Sequence, residues 1–314
     1  MKRTVIIAMA ALLMLGISSC NKQKDGVFNP KQKISAIYVE SHDQDYSYNS
    51  ETYTWEVTST SNTPYQKEQE WTWDGKKLQQ IKYFDGEGGI GATFTYTYDG
   101  KKLTRIDAMN SDGEKYYSTF EYDGKELITA NIYDSDGSIY STYKYTHTDK
   151  KITDIVWTEY NYDKCASSKV GRKIAALRMI LPKDQVNERL IADYAAKLKT
   201  KATTDITRIT YTWTDNNITS VTYKWSDGET STVSYTYDTK KNPYYGYMGM
   251  DIDESGSVAP NCASENNIIM EGSRSYVYEY DKNDYPTNCT YTSTYNGDTY
   301  RWKFTRTTTY EYLK

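Results

Sequence analysis

Residues 94–106 read Phe-Thr-Tyr-Thr-Tyr-Asp-Gly-Lys-Lys-Leu-Thr-Arg-Ile, and this stretch decides the fold. Before the Asp99-Gly100 pair, aromatic residues alternate with threonine, which is the period-two pattern of a strand with one buried face. After the pair, Leu103 and Ile106 begin a second apolar segment. Asp-Gly between two such segments signals a hairpin, because a type I′ turn needs positive φ at both central residues. The stretch predicts two antiparallel strands joined by a tight turn.

The same unit recurs along the chain: an aromatic residue, any residue, a second aromatic residue, Asp, Gly, two charged or polar residues and Leu. Copies and degenerate copies start at Trp71, Tyr96, Phe120, Tyr143, Tyr211, Tyr235 and Tyr278. In this part of the chain Asp-Gly pairs fall at Asp74, Asp85, Asp99, Asp112, Asp123, Asp136 and Asp227. The early copies lie about 24 residues apart, which accommodates two strands and two turns. One repeat is therefore one hairpin plus its link to the next.

These hairpins predict an all-β fold: an antiparallel meander of about sixteen strands, since each hairpin alone is only marginally stable. Aromatic residues share one face of each strand and threonine or charged residues the other, as in residues 300–312. A twisted sheet of this size curls, so we expect a barrel or half-barrel with the aromatic face inside. An outer-membrane barrel with the aromatic face toward lipid is disfavoured, because 34 tyrosines make a poor hydrocarbon-facing band.

The N-terminus has the order of an export signal. Basic residues precede an apolar run at 5–17, and small residues Ser18 and Ser19 precede Cys20. A cysteine at this place resembles the lipobox of bacterial lipoproteins, which implies cleavage before Cys20 and lipidation of that residue. A secretory signal that ends at a cysteine by chance, or an uncleaved anchor, is the alternative, although the run is short for a bilayer span.

This reading divides the chain into three parts. We expect a signal peptide at 1–19, the lipidated cysteine with a flexible tether at 20–33, and the repeat β domain at 34–314. A helical insert is expected at about 168–200, because Val186, Leu190, Tyr194 and Leu198 recur at a spacing of four after Pro182. The helix either completes the core or forms a lid over a ligand. A second irregular segment, Asn242 to Gly272, is long for a loop and is a place to look for function.

Net charge and cysteine content exclude some classes of function. A net charge of −4 and a pI near 5.5 provide no basic stripe for phosphates, so we expect no nucleic acid partner. Apart from Cys20 the cysteines are Cys165, Cys262 and Cys289. A Cys262–Cys289 disulfide and half-buried thiols are both open, and no metal-ligand spacing is present.

Catalytic chemistry is sparse in this sequence. The histidines are His42 and His147, and no nucleophile elbow, zinc helix or phosphate loop occurs, so we expect no enzyme and no cofactor. Asp251, Asp253 and Ser255 match the first half of a calcium loop. The twelfth position of that loop is Cys262, where a bidentate acid is needed, and a solvated turn is the alternative.

The lipobox, the Tyr-x-Tyr-Asp-Gly-Lys-Lys-Leu repeats, the segment Asn242-Pro243-Tyr244-Tyr245-Gly246 and the segment 264–268 together resemble a family of uncharacterised lipoproteins with YD-type repeats from gut anaerobes. The resemblance implies an all-β, curled, porin-like sheet and extracytoplasmic anchoring, and it carries no established activity. We accordingly expect anchoring to the outer membrane of a Gram-negative bacterium, at its periplasmic face or at the cell surface.

Tyrosine and tryptophan combine an apolar plate with a polar handle, which suits sugar rings and the polar ends of lipids. The candidate ligand-binding residues are Trp73, Tyr98, Trp213, Trp225, Tyr244 and Tyr245. The sequence thus favours a lipid-anchored, non-enzymatic binding module for a glycan or another amphiphile. A structural lipoprotein that docks another envelope protein and a lipid carrier with a helical lid are the alternatives, and the tyrosines could also simply fill the core.

Overall fold

The computed structural model describes residues 28–160, 205–247, 258–272 and 274–314. The described residues form sixteen strands and one short helix, α1 (Pro260–Ala263). The strands are β1 (Ile34–Asn49), β2 (Thr54–Asp74), β3 (Lys77–Phe84), β4 (Ile90–Asp99), β5 (Lys102–Asn110), β6 (Lys115–Asp123), β7 (Glu126–Tyr133), β8 (Ile139–Thr148), β9 (Lys151–Glu159), β10 (Asp205–Thr214), β11 (Asn217–Lys224), β12 (Thr230–Tyr237), β13 (Ile268–Glu271), β14 (Arg274–Tyr280), β15 (Pro286–Asn296) and β16 (Tyr300–Tyr312).

Each strand pairs antiparallel with the next in sequence, and β1 pairs with β16, so the sheet closes into a barrel. The predicted all-β meander is confirmed, and of the two predicted forms the structure is the barrel. The predicted faces are also found. In β4, Ala92, Phe94 and Tyr96 are buried whereas Thr95 and Thr97 are exposed. Burial of this aromatic face is what holds the hairpins together.

Several predictions fall on residues outside the described ranges. These are the signal peptide 1–19, lipidation at Cys20, the helical insert at about 168–200, Cys165, and the calcium candidates Asp251, Asp253 and Ser255. Phe28, in the segment expected to be a tether, is buried and packs on Trp73 with ring centroids 5.6 Å apart. The packed body therefore includes Phe28. Among the described residues, no helix is long and apolar enough to cross a membrane.

The Asp-Gly pairs build different turns at the two ends of the barrel. Asp74 is the last paired residue of β2, opposite Lys77, and Gly75 with φ 54° is the first of two turn residues. Gly100 and Gly124 repeat this geometry, each with φ 57°. This corrects the expected type I′ turn, in which the aspartate would itself have positive φ. Glycine adopts that φ without the steric cost of a side chain. Asp149 and Asp215 take the same position, each with φ 52°, in the turns after β8 and β10.

At the opposite end the glycine closes a longer turn. Asn110 N–H donates to the carbonyl of Glu114 at 3.1 Å, and Gly113, with φ 78°, donates to the carbonyl of Asn110 at 3.1 Å. The Asp136-Gly137 and Asp227-Gly228 pairs lie in matching turns. Asp-Gly pairs thus occur in two types of turn in this barrel, a two-residue turn at one end and a longer turn at the other. We call the end with the Gly75 and Gly100 turns the plug end, and the other the far end.

The second aromatic residue of the repeat unit ties one hairpin to its predecessor. The Tyr122 hydroxyl donates to the carbonyl of Leu103 at 3.0 Å, and the Tyr237 hydroxyl donates to that of Ile218 at 2.6 Å. The ladder between β5 and β6 ends at Arg105 and Thr119. The Tyr122 side chain therefore supplies a donor to the carbonyl of Leu103, which lies beyond the end of that ladder. Equivalent bonds run from Trp73 to Ile34 (2.8 Å), from Trp213 to Ile152 (2.7 Å) and from Tyr312 to Pro286 (2.7 Å).

The lysine that directly precedes the leucine of the repeat unit contributes to the same contact. Lys77 Nζ lies 5.5 Å from the ring centroid of Tyr98, and Lys102 Nζ lies 5.5 Å from that of Tyr122. A cation over a ring at a partly exposed site contributes about 0.5–1 kcal/mol. The repeat unit is therefore explained by contacts between neighbouring hairpins, without a ligand.

We expect Tyr122→Phe to lower the free energy of unfolding by about 1 kcal/mol, because the carbonyl of Leu103 loses its donor. Urea unfolding of the chain would measure the change. Tyr65→Phe is the matched control, since Tyr65 is 55% exposed and stacks on Tyr38, and its cost should stay within about 0.5 kcal/mol. Equal costs for the two variants would contradict this role of the repeat tyrosine.

Four strands continue past the rim at the far end. β2 pairs with β1 from Thr54 to Glu70 but with β3 only from Gln69 to Asp74. On the other side, β15 pairs with β16 as far as Asn296 but with β14 only as far as Thr292. Strands β2, β1, β16 and β15 therefore form a four-stranded sheet that protrudes from the barrel. We call this protruding sheet the extension.

Candidate functional site

The aromatic residues predicted to bind a ligand do not form one open site. Trp73 and Trp213 lie at the plug end, and each indole N–H is committed to a backbone carbonyl. The Trp73 ring also stacks on Trp71 at 6.3 Å between centroids. Tyr98 is half-buried under Lys77, and burial raises the pKa of its hydroxyl. These side chains serve the hairpin contacts described above.

The remaining predicted residues are also placed by packing. Tyr244 meets Tyr310 edge-on at 6.1 Å, and burial raises the pKa of Tyr244. Tyr245 is half-buried, and burial raises its pKa to about 12. Trp225 lies instead in the turn between β11 and β12 at the far end, where it stacks on Tyr223 at 6.3 Å.

The segment predicted to be a functional loop, Asn242 to Gly272, is a plug as far as the structure describes it. The Tyr247 hydroxyl lies 2.6 Å from that of Tyr96 within the barrel, and the N–H of Val258 donates to the Tyr211 hydroxyl at 2.7 Å. The segment ends in β13, a strand of the barrel, so it is less irregular than expected. Its described part contributes buried tyrosines to the core at the plug end and no open cleft of its own.

Exposed aromatic side chains next to carboxylates are found on the extension. Asp45 in β1 lies directly opposite Trp302 in β16, and Trp302 lies opposite Tyr295 in β15. Directly opposite residues of antiparallel strands share a face. The same face continues down β16 into the barrel through Arg306, which is buried. We call the inner face of the extension, formed by Asp43, Asp45, Tyr295, Tyr300 and Trp302, the shelf.

The shelf combines accessible aromatic rings with two carboxyl groups, those of Asp45 and Asp43, which differ in their hydrogen bonds and in the direction of their pKa shifts. Tyr295 and Tyr300 are 49% and 44% exposed. Hydrogen bonds from Ser59 and Tyr300 lower the pKa of Asp45, and the bond to Asp45 raises the pKa of Tyr300 to about 12. Ser59 Oγ lies 2.5 Å from Asp45 Oδ2. At neutral pH Asp45 is thus a charged acceptor whose two oxygens are both in use.

Asp43 is the second carboxyl group of the shelf. Burial and the neighbouring Asp45 charge raise its pKa. Asp43 lies opposite Phe304, one step closer to the barrel, and no described side chain donates a hydrogen bond to it. The backbone N–H of Gln44 donates to this carboxyl group, and its remaining acceptor positions can take a hydrogen bond from a ligand.

A buried ion pair lies where the shelf meets the barrel. Arg306 Nη2 is 2.5 Å from Glu68 Oε2, and the two side chains are 9% and 20% exposed. Glu68 lies at a register shift between β1 and β2, close enough to contribute to the raised pKa of Tyr83. The pair ties β2 to β16 across β1 at the base of the shelf.

The two histidines lie in different parts of the barrel. His42 lies on the outer face of the extension beside Asn62, and His147 Nε2 lies 2.7 Å from the carbonyl oxygen of Leu127. Cys262 and Cys289 are buried thiols and do not form the disulfide that was one of the two predictions. Among the described residues, no three His, Cys, Asp or Glu side chains are grouped to hold a metal ion.

Sequence reasoning found the aromatic parity of residues 300–312 but not the shelf. Tyr300 and Trp302 belong to that stretch, whereas Asp45 lies 255 residues before Tyr300. The available signal was the length of the alternating pattern in β1 and β16, which exceeds that of strands such as β3 and β7. Longer strands at the seam of a barrel must protrude beyond the rim.

Fold and site together define a class: a sixteen-stranded antiparallel barrel, plugged at one end and extended at the other into an aromatic and acidic shelf. No protein-family model matches the chain, and no curated protein matches it. A porin-like protein from Bacteroides uniformis is similar with a TM-score of 0.42 and 14% identity, over 89% of this chain and 98% of that chain.

A porin-like protein from Bacteroides vulgatus is similar with a TM-score of 0.27 and 9% identity, over 90% of this chain and 99% of that chain. At these values neither similarity carries an argument about function. The barrel described above follows from the strand pairing of this chain alone.

Proposed function

We propose that this protein is a non-enzymatic binding module that captures a glycan on the shelf and is held at the outer membrane of a Gram-negative bacterium by a lipid on Cys20. One observation carries the binding proposal: the accessible rings of Tyr295 and Tyr300 lie on one face with Trp302, Asp43 and Asp45. Sugar rings have apolar faces and a rim of hydroxyl groups. Aromatic plates suit the first, and carboxylate acceptors suit the second.

The position of the N-terminal segment supports the same arrangement. Lys33 accepts a hydrogen bond from Leu313 N–H at 2.8 Å, and Phe28 packs against Trp71 and Trp73 at the plug end. A tether from Cys20 would therefore reach the barrel at the plug end. The shelf lies at the far end, so it would face away from the membrane and toward soluble polymer.

Binding of purified polysaccharides to a chain of residues 21–314, which contains every described residue, tests the proposal. We expect Trp302→Ala to raise the dissociation constant for the polysaccharide at least about tenfold, since buried aromatic anchors dominate recognition energies. Trp55→Ala is the matched control, because Trp55 lies on the outer face of the same extension under Arg301, 3.8 Å from its ring centroid. That variant should bind within about twofold of the parent.

Two results would overturn the proposal. One is the absence of binding to every polysaccharide offered, and the other is equal binding by the parent and Trp302→Ala. Acyl chains that copurify with the protein, detected by mass spectrometry, would favour an amphiphile as the ligand instead.

Asp43→Asn should also weaken glycan binding, because its carboxyl group is the acceptor not already used by the described side chains.

A further inference from the structure

Among the described strands, the longest stretch that has a partner on one side only lies on the extension. Because β3 pairs with β2 only from Gln69 onward, no described strand pairs with Thr54–Thr63 on the side away from β1. At about 3.4 Å per residue this free edge is roughly 34 Å long. Its residues are largely exposed. A row of unpaired backbone donors and acceptors of this length is a template for another strand.

Between Thr54 and Thr63 the edge lacks two of the features that normally prevent such pairing, lysine and proline. Between Thr54 and Thr63 the one charged residue is Glu56, and the first proline is Pro64. The rest are threonine, serine, asparagine, Val57 and Trp55, of which threonine, valine and tryptophan are good strand residues. Native proteins protect an edge with lysine, proline, a very short strand, a β-bulge or an inward-pointing charge. Of these, the segment has a bulge at Thr58, where the register with β1 shifts, and the charge of Glu56 on the inner face. Pro64 lies just beyond this segment rather than within it.

Antiparallel self-pairing is compatible with both faces of this strand. Pairing Thr54 with Thr63 of a second copy places Glu56 opposite Ser61 and Val57 opposite Thr60. In each of these pairs both residues lie on the same face, as the register with β1 shows. No like charges face each other. A second copy supplies a matching edge under two-fold symmetry, which is the commonest form of self-association.

We propose that two copies of this chain associate through their β2 edges at Thr54–Thr63, forming one continuous eight-stranded sheet from the two extensions. The two-fold axis of such a pair stands perpendicular to the sheet, so both shelves lie on the same face. β1 of one copy is three strand spacings from β1 of the other, about 14 Å. Two shelves side by side would bind an extended polymer more tightly than one.

Sedimentation velocity on residues 21–314 over a range of concentrations tests the association. We expect a monomer–dimer equilibrium, and we expect Val57→Lys/Thr60→Lys to raise the dimer dissociation constant at least about tenfold, because two lysine pairs then face each other across the edge. Thr95→Lys/Thr97→Lys is the matched control, since these exposed residues lie on β4, which is paired on both sides. It should dimerise like the parent.

A charge exchange separates this effect from damage to the fold. Val57→Glu/Thr60→Glu should also be monomeric, and an equimolar mixture of the lysine and glutamate variants should recover dimers of mixed composition. A parent protein that stays monomeric at all concentrations, or a lysine variant that dimerises like the parent, would overturn the proposal. Val57 and Thr60 lie on the outer face of the extension, and the shelf is its inner face. Glycan binding by single copies of the lysine variant can therefore be measured separately from dimerisation, and either proposal can fail without the other.

Discussion

Replacing Arg306 with alanine is expected to lower the free energy of unfolding by about 3–5 kcal/mol. Arg306 forms the 2.5 Å ion pair with Glu68 at the base of the shelf, and both side chains are largely removed from water. The variant would leave the Glu68 carboxylate without its charge partner in the barrel. Breaking a buried pair in this way costs much more than the pair itself contributes, because the remaining charge has lost both water and its counter-ion.

Denaturant unfolding followed by tryptophan fluorescence would measure this loss, with Arg105→Ala as the matched control. Arg105 forms a 2.6 Å pair with Asp107, but the two side chains are 41% and 47% exposed. An exposed pair contributes roughly 0–1 kcal/mol. The double variant Arg306→Met/Glu68→Leu should be more stable than Arg306→Ala, because it removes both charges. Equal losses for Arg306→Ala and Arg105→Ala would show that the pair is not buried in solution.

Replacing Trp213 with alanine is expected to destabilise the barrel by about 3 kcal/mol. The indole contributes packing next to the core at the plug end, a 2.7 Å hydrogen bond to the carbonyl of Ile152, and a contact with Lys151 Nζ at 5.5 Å from its ring centroid. The ladder between β9 and β10 ends at Asp154 and Thr210, so no strand partner replaces the indole at that carbonyl. The variant thus loses ring packing and leaves a carbonyl without its donor.

Trp213→Phe separates the two contributions, since it keeps a ring and loses the donor; we expect it to cost about 1–2 kcal/mol. Denaturant unfolding of both variants would measure these values, with Trp55→Ala on the outer face of the extension as the control. Glycan binding by the folded Trp213→Phe protein should equal that of the parent. A loss of binding without a loss of stability would instead restore Trp213 to the ligand-binding role that the sequence predicted.

The contrast between Trp213 and Trp302 shows what the repeat pattern can and cannot indicate. Trp213 occurs in a good copy of the unit, and its environment is set by the neighbouring hairpin. Trp302 occurs in the last strand outside such a copy, and it lies on the extension. A tryptophan at a regular position of the repeat unit is explained by its contacts with the neighbouring hairpin. The more informative aromatic residues were those in strands longer than the repeat requires.

Much of the core could be predicted because strand faces are local. Tyr96 and Tyr211 are buried, and Thr95 and Thr97 are exposed, as the period-two pattern requires. The candidate site could not be predicted in the same way. Tyr98 and Trp73 are aromatic and lie on the correct face, yet packing against their neighbours occupies them, and Tyr244 belongs to the plug itself. Parity assigns a side chain to a face but does not say what covers that face.

The sequence by itself determined the strands, the positions of their turns and the face that each side chain takes, because alternation and turn chemistry act over a few neighbouring residues. Only the tertiary structure decided that the sheet closes, which end is plugged, and that Asp45 meets Tyr300 across 255 residues. Closure depends on pairing the first strand with the last, and the shelf depends on the unequal lengths of the strands at that seam. Both are properties of contacts between distant parts of the chain, which no local pattern records.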